Sequence, residues 1–400
     1  MTNQDFLNTR KTSIVDSKGQ PVLLHGVNFG GWLMMEAYFT HAPNVAEQVF
    51  KKNFASLLGQ KALERFEIEF RRSFITEEDF KTVAKWGMNV IRLPFNYRLI
   101  ESKPYKYSSK GVSYLDEAIR LAKKYNVRVI LDLHAAPGAQ NHDWHSDSLG
   151  QANLWKSASN QKRTYALWEY VSDRYKDESA VAGYDLLNEP VLEDMGLLNR
   201  FYKELIKKIR RIDRKHILFV EGSHWAQNIS ILDSFEDDNF VLSPHFYGPL
   251  EFTFNFIPGL RYPLKSAEGV WGKKQMQTFL SAYQKISKER QLPIFIGEYG
   301  VNNRDGLYGE DQWVKDVLAC FNEFGFHRTY WTYKAVKNHM FPDGIFSYYP
   351  NSPWVNRPGV KSGWETWNAL WSERKKDIIS SWFTSAFNVN KTIEKVLIDA

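Results

Sequence analysis

Four hundred residues with 43% hydrophobic and 24% charged content can bury a large core, which excludes a disordered or low-complexity chain. A formal charge of +6 is small for this length, and its cations gather in helix-like runs such as Lys207-Lys208-Ile209-Arg210-Arg211 and Arg374-Lys375-Lys376; a solvated helix face explains them better than a nucleic-acid groove. The single cysteine, Cys320, excludes an internal disulfide, and no apolar run is long enough to span a bilayer, so neither nucleic acid nor membrane is expected as a partner.

The first residues, Met1-Thr2-Asn3-Gln4-Asp5, carry no apolar signal core, so the chain is expected to be cytoplasmic, or secreted with its leader removed. Next, Ile14-Val15-Asp16-Ser17-Lys18-Gly19-Gln20-Pro21-Val22 reads as a small hairpin suited to closing the floor of a barrel. Short apolar runs then alternate with longer amphipathic ones, the pattern of a parallel sheet covered by helices. Strands are expected over Val22–Asn28, Val90–Phe95, Arg128–His134, Gly183–Asn188, His216–Glu221, Phe240–Phe246, Ile294–Glu298 and Thr329–Tyr333. Helices are expected over Glu77–Trp86, Tyr114–Tyr125, Lys162–Tyr175, Asn199–Ile212, Lys274–Glu289 and Gln312–Phe324, the last placing Cys320 as a buried, inert thiol. Thr76 and Ser113 stand where they N-cap two of these, Thr76 with Asp79 three residues on.

Eight strands alternating with helices give an α/β fold, a (β/α)8 barrel, a type that takes ~200 to 400 residues as one unit. A single domain over 1–400 is expected, with a barrel core over about 20–335 and a C-terminal loop and helices over 336–400. Four connections after strands are long: 30–75 after the first, 135–160 after the third, 249–272 after the sixth and 334–371 after the eighth. Loops after strands build the working face of such a barrel, so these four should wall a cleft. The sixth brings Phe252, Phe254, Phe256, Tyr262 and Trp271. Aromatic residues make up 15% of the chain, either as packing between sheet and helices or as platforms for a flat apolar face such as a sugar ring.

Two acids stand at strand ends: Glu189 in Asp185-Leu186-Leu187-Asn188-Glu189-Pro190 and Glu298 in Ile294-Phe295-Ile296-Gly297-Glu298-Tyr299-Gly300. Strands four and seven face each other across the mouth of an eight-stranded barrel, so the two carboxylates can converge on one bond. Glycoside hydrolysis needs that arrangement: one acid protonates the departing oxygen and the other attacks or stabilises the anomeric carbon, with retention at a separation of ~5 to 5.5 Å.

These residues resemble glycoside hydrolase family five. The likeness rests on Arg92 in Ile91-Arg92-Leu93-Pro94, His134 in Leu131-Asp132-Leu133-His134, Asn188-Glu189-Pro190, His245-Phe246-Tyr247, Gly297-Glu298-Tyr299, and Trp331, and it covers about residues 20–335. The resemblance implies Glu189 as general acid/base, Glu298 as nucleophile, and a monomeric retaining β-glycosidase using neither metal nor cofactor. It implies that Asn188 donates to the sugar 2-hydroxyl, that Arg92 and Tyr247 lie against Glu298 and lower its pKa, that His134 and His245 hold hydroxyls and orient the carboxylates, and that Trp331 lies beneath the sugar. Glu189, close to that negative charge, is expected to be raised towards neutrality.

Gly30-Gly31-Trp32-Leu33 followed by Glu36, and Leu133-His134-Ala135-Ala136-Pro137-Gly138-Ala139-Gln140-Asn141, are similar to the branch containing exo-β-1,3-glucanases. There the acid after Gly-Gly-Trp-Leu binds the terminal non-reducing sugar, so Glu36 implies chain-end attack on a β-glucan or oligosaccharide. The chain departs from that branch at Tyr299 and Tyr333, where its members carry Trp. β-1,3 bonds are therefore expected first, with an endo-β-1,4-glucanase or mannan-active enzyme as the alternative. Two readings of other classes stay open: a metal-dependent hydrolase built on His142, Asp143, His145 and Asp147, and a non-catalytic carbohydrate-binding barrel.

Overall fold

The computed structural model describes residues 5–42, 44–267, 269–348 and 364–399. Part of the eighth-strand loop, 349–363, thus lies outside the described residues, as do the first four of the N-terminal segment. The central sheet has eight parallel strands: β1 (His25–Asn28), β2 (Val90–Asn96), β3 (Arg128–Ala135), β4 (Val181–Asp185), β5 (Ile217–Val220), β6 (Phe240–Leu242), β7 (Phe295–Tyr299) and β8 (His327–Tyr330). They run in the order β6-β5-β4-β3-β2-β1-β8-β7. A parallel bridge from Leu242 to Ile294 and a hydrogen bond from Phe246 N to Glu298 O at 2.9 Å draw the two edges together, so the sheet is a nearly closed barrel.

Both faces of each strand are covered, which is why the runs are almost continuously apolar. Alternation still decides which side chains face inward. On β3, Val129, Leu131 and Leu133 join the layer between sheet and helices, while Ile130 points into the barrel floor. Asp132 and His134 continue the inward face towards the mouth. Val90, Ala182, Ile217, Phe219, Val241 and Phe295 complete the floor, sealed from below by Leu7, Ile14 and Leu24. Backbones crowd there: a Cβ on Gly26 would lie 1.7 Å from Val90 O, so glycine is required. The N-terminal segment lies under this floor, with Asn8–Arg10 paired to Ser13–Val15 and Val22 N bonded to Ile14 O at 2.9 Å.

The covering helices include α3 (Glu77–Lys85), α4 (Ser109–Lys124), α5 (Ala158–Tyr175), α6 (Met195–Arg210), α7 (Lys273–Arg290) and α8 (Glu310–Phe324). Thr76 caps α3 in a capping box with Asp79. Ser113 does not cap α4; Ser108 does, accepting from Gly111 N at 3.1 Å, because the helix starts about one turn earlier than its apolar periodicity. The first turn of α5, Ala158-Ser159-Asn160-Gln161, is polar and carries no apolar period, and α6 likewise begins one turn before the expected Asn199, at Met195, where Asp194 caps it.

The connection over 30–75 is mostly helical. It contains α1 (Glu47–Leu58) and α2 (Gln60–Ser73), which pack with α9 (Trp364–Ser380). Phe50 meets Trp364 at 4.6 Å between ring centroids, and Phe66 meets Trp367, Trp371 and Trp382 within 5.8 Å. This lobe beside the barrel absorbs much of the aromatic content as packing. A final helix, α10 (Lys391–Ile398), rests on α8.

Candidate active site

At the inner end of the site lies Arg92, fully buried, whose guanidinium meets four carboxylates: Glu298 at 2.7 Å, Asp185 at 2.8 Å, and Asp132 and Glu221 at 3.1 Å each. It also donates to Asn188 Oδ1 at 2.8 Å and Asn28 Oδ1 at 3.2 Å. These acids come from four different strands, Asp132 from within β3 and the others from at or next to the ends of β4, β5 and β7, and would repel one another without it. Arg92 thus lies against Glu298 as expected, but it is saturated and shut off from the cavity, so it is not itself a substrate-binding residue. Asp185 shows the strain of this crowding, since burial and then Glu221 push its carboxyl well up, against Arg92.

Glu298 stands at the end of β7 with both oxygens taken: Oε1 accepts from Arg92 and Oε2 from the Tyr247 hydroxyl at 2.8 Å. The residue before it must be small, because a Cβ on Gly297 would lie 2.9 Å from His245 Nε2. Across the mouth, Glu189 follows β4 with φ 48°, a left-handed conformation unusual for a side-chain-bearing residue. Its neighbours fix it there: Glu189 N donates to Glu221 Oε2 at 2.6 Å, and Asn141 Nδ2 donates to Glu189 O at 2.9 Å. One carboxylate oxygen of each glutamate and a ring nitrogen of His245 lie within 4.8 Å of one another.

The electrostatics of Glu189 differ from expectation. Burial alone would raise its carboxyl, but His145 and His245 hold it well below the usual carboxylate range. His245 Nδ1 meets Oε1 at 2.8 Å and His145 Nε2 meets Oε2 at 3.0 Å. The proximity of Glu298 is outweighed by two direct hydrogen bonds. His245 is fully buried and its other nitrogen faces Glu221 at 3.2 Å, so it aligns carboxylates and has no edge left for a sugar hydroxyl.

A cavity of about 370 Å³ opens above these groups, lined by Glu36, His134, Glu189, Tyr247, Glu298 and Trp331 among the expected residues. Glu36 is 4% exposed and faces His134 Nε2 at 3.4 Å, while Asp132 sits on His134 Nδ1 at 2.7 Å. Burial lowers the His134 imidazolium, but the two carboxylates override it and push it up to about 10. The His134 ring stacks against Trp331 with 5.4 Å between centroids, and the Trp331 indole N–H donates to the Tyr38 hydroxyl at 2.5 Å. Asn188 is fully buried, and its Nδ2 donor has no hydrogen-bond partner among the described residues.

The rim holds residues that sequence reasoning missed, Tyr38, Trp144, Trp225, Gln227, Phe341 and Pro342, together with His145, which the sequence offered only as a metal-ligand candidate. They sit on long loops without periodicity, so no pattern marked them. Asp132, Asp185 and Glu221 carried a readable signal, an acid inside or at the end of a buried strand. Phe254 and Phe256 line the cavity as expected of the sixth loop, whereas Phe252 and Tyr262 are buried packing. Tyr299 and Tyr333, the two departures from the exo-glucanase branch, also face the packing layer: Tyr299 lies against Phe321 and Tyr330, and Tyr333 donates to Asp79 at 2.9 Å. The His/Asp-rich loop does not converge into one cation site. His145 is on Glu189, Asp143 accepts from Trp225 at 2.7 Å, and Asp147 pairs with Arg98 at 2.9 Å.

Comparison with known proteins agrees with this geometry. The model of a family described as cellulase, glycosyl hydrolase family 5, matches residues 50–337. A protein of Phanerodontia chrysosporium named beta-xylosidase is 32% identical over 83% of this chain and 71% of its own length. Endoglucanase C of Acetivibrio thermocellus is 27% identical over 78% of this chain and 91% of its own, and glucan 1,3-beta-glucosidase 2 of Wickerhamomyces anomalus 32% over 53% and 50%. Among solved structures, endoglucanase Cel5A of Thermotoga maritima superposes with a TM-score of 0.63 at 20% identity, covering 94% of this chain and 96% of that one, a likeness of fold.

Proposed function

The chain belongs to glycosyl hydrolase family 5, the cellulase family, so it is a retaining glycoside hydrolase of β-glycans; we propose that it works from chain ends, on β-1,3-glucosidic bonds first. The observation that carries chain-end attack is the buried Glu36 carboxylate in a cavity at the small end of the ~300 to 1,000 Å³ range of ligand sites. A sugar inside a polymer needs a groove leading away on both sides. A terminal sugar needs acceptors for its extra hydroxyl, and Glu36 Oε1 is a buried acceptor at the cavity wall that faces His134 Nε2 at 3.4 Å and, among the described residues, accepts no hydrogen bond of good geometry.

In the proposed reaction Glu298 attacks the anomeric carbon while Glu189 delivers a proton to the departing oxygen; Glu189 then deprotonates a water that releases the glycosyl-enzyme. The carboxylate oxygens, within 4.8 Å, are nearer the ~5 to 5.5 Å of double displacement than the ~6.5 to 9.5 Å that admits a water for inversion. Arg92 and Tyr247 aim Glu298 by occupying both its oxygens. The unpartnered Asn188 Nδ2 supplies a donor for the sugar 2-hydroxyl, a bond that strengthens as the transition state forms. Trp331 gives the ring an apolar face.

Laminari-, cello- and manno-oligosaccharides of graded length, with aryl β-glucoside and β-xyloside beside them, test this reading. Release of single sugars from laminari-oligosaccharides as the fastest reaction is expected. Mid-chain products from cello-oligosaccharides would favour an endoglucanase, the reading suggested by the Acetivibrio relative. Preference for the xyloside would follow the Phanerodontia relative. No turnover of any glycoside would leave a binding barrel.

A further inference from the structure

The loop after β3 grips the end of β4 at three points. Gln140 Nε2 donates to Asn188 O at 2.8 Å, Asn141 Nδ2 donates to Glu189 O at 2.9 Å, and His145 Nε2 reaches the Glu189 carboxylate at 3.0 Å. The last contact puts a titratable ring, 14% exposed at its side chain, on the one Glu189 oxygen that His245 leaves free. His245 itself is fully buried. Of the two rings on Glu189, His145 is the one in touch with solvent.

His145 Nε2 has two partners of opposite kind. Glu189 Oε2 can only accept while the carboxylate is ionised, and Asn141 Nδ2, also at 3.0 Å, can only donate. The Asn141 amide is held in that orientation because its Oδ1 accepts from Asp143 N at 2.9 Å and its Nδ2 already serves Glu189 O. A protonated Nε2 therefore bonds to Glu189, and a deprotonated one bonds to Asn141. Either protonation state is satisfied without moving the ring, which is what a group that repeatedly gives up and regains a proton requires.

We propose that His145 is the positioning and proton-relay residue of Glu189, holding the proton that Glu189 hands to the leaving oxygen and taking it back afterwards. In the first half-reaction the proton passes from His145 Nε2 to Glu189 and on to the glycosidic oxygen as the bond from C1 to that oxygen breaks and Glu298 bonds to C1. In the second, water loses a proton to Glu189 while its oxygen displaces Glu298 from C1, and the proton returns to Nε2. The books close after each cycle. The charged and titratable groups around His145 are Glu189, Glu36, Asp143 and His134, with His245 and Glu298 behind Glu189. Burial lowers the His145 imidazolium, yet Glu189 and then Glu36 and Asp143 raise it above its ordinary value, consistent with a stored proton.

The proposal rests on Glu189 being the acid/base and is independent of linkage. His145→Asn and His145→Gln are compared with the wild type on an alkyl β-glycoside, whose leaving group needs a proton, and on a dinitrophenyl β-glycoside, whose leaving group does not. Both variants are expected to lose about 10- to 100-fold in kcat/KM on the first and to stay near wild type on the second. The alkaline limb of the first profile should move to lower pH in both, because the proton must then reside on the carboxyl itself. Gln retains a donor for Glu189, so an unmoved limb in the Gln variant, with thermal unfolding unchanged, reduces His145 to a structural contact and overturns the proposal. Equal loss on both substrates in Glu189→Ala would instead remove the acid assignment and this relay with it.

Discussion

Trp331 and Tyr38 are joined by a 2.5 Å hydrogen bond from indole to phenol, which ties the end of β8 to the loop that follows β1. The ring beneath the proposed sugar position is thus held by the wall that encloses it. Tyr38→Phe removes that tie and little volume, at a cost of about 0.5 to 1.5 kcal/mol. The expected outcome is a several-fold rise in KM with kcat nearly unchanged, read from steady-state kinetics; a fall in kcat alone would place Tyr38 in the chemistry instead.

Removing either glutamate has a different signature. Glu298→Ala should abolish turnover of every glycoside. Glu189→Ala should lose about 100- to 10,000-fold on alkyl glycosides and far less on dinitrophenyl glycosides. NMR of the first product should show the β-anomer from a β-substrate, and an α-anomer would overturn double displacement.

Arg92→Met is expected to destabilise the fold by about 3 to 5 kcal/mol, because it leaves buried carboxylates facing one another without a cation. Arg92→Lys should recover little, since an ammonium is a point charge and cannot span acids lying on opposite sides of a planar fork. Urea unfolding of the two variants checks both statements; wild-type stability in Arg92→Lys would contradict the bridging role.

His134 is charged in the fold at a pH where a free imidazole is neutral, its pKa moving from 6.5 to about 10. A raised pKa contributes stability that is fully present below about 6.5 and is lost as the pH climbs through about 10. The thermal midpoint of the wild type should fall across that window, relative to His134→Gln measured in the same buffers. Parallel curves would mean that Asp132 and Glu36 do not hold a charged ring.

Glu36→Gln should slow release of terminal sugars more than cleavage within a chain, measured as the ratio of the two products from one laminari-oligosaccharide. An unchanged ratio would remove Glu36 from terminal recognition.

How far the sequence could be read follows from where each residue sits. The strand count was legible because both faces of a barrel strand are covered, and apolar runs such as Val129-Ile130-Leu131 stand out against their surroundings. Glu189 and Glu298 were legible for the opposite reason, as acids at the ends of such runs. The helical lobe over Glu47–Leu58 and Gln60–Ser73 was read as loop, since its apolar face packs on Trp364, Trp367 and Trp371, about 300 residues away in sequence. His145 showed itself as one of several polar residues in a loop. Only the turn at Trp144–Ser146 brings its ring onto Glu189, and no local pattern encodes that contact. The pKa direction of Glu189 was lost with it, because the two histidines that set it were not both in view.

The guanidinium at the barrel centre also bears on how such a chain can diverge. Four carboxylates on four different strands share one cation, so a change at any one alters the balance felt by the other three, and single-step drift there is penalised. The cavity rim, contributed by Tyr38, Trp144, Trp225 and Phe341 from separate loops, is held by ring contacts such as those of Tyr38 and Trp144 with Phe341, at 5.4 and 5.3 Å, and these tolerate exchange of one apolar ring for another better than a shared ion tolerates loss of a charge. Insertions and exchanges at the rim can accumulate one at a time while the reaction centre is inherited whole, which lets relatives with a common bond-breaking apparatus come to prefer different sugars.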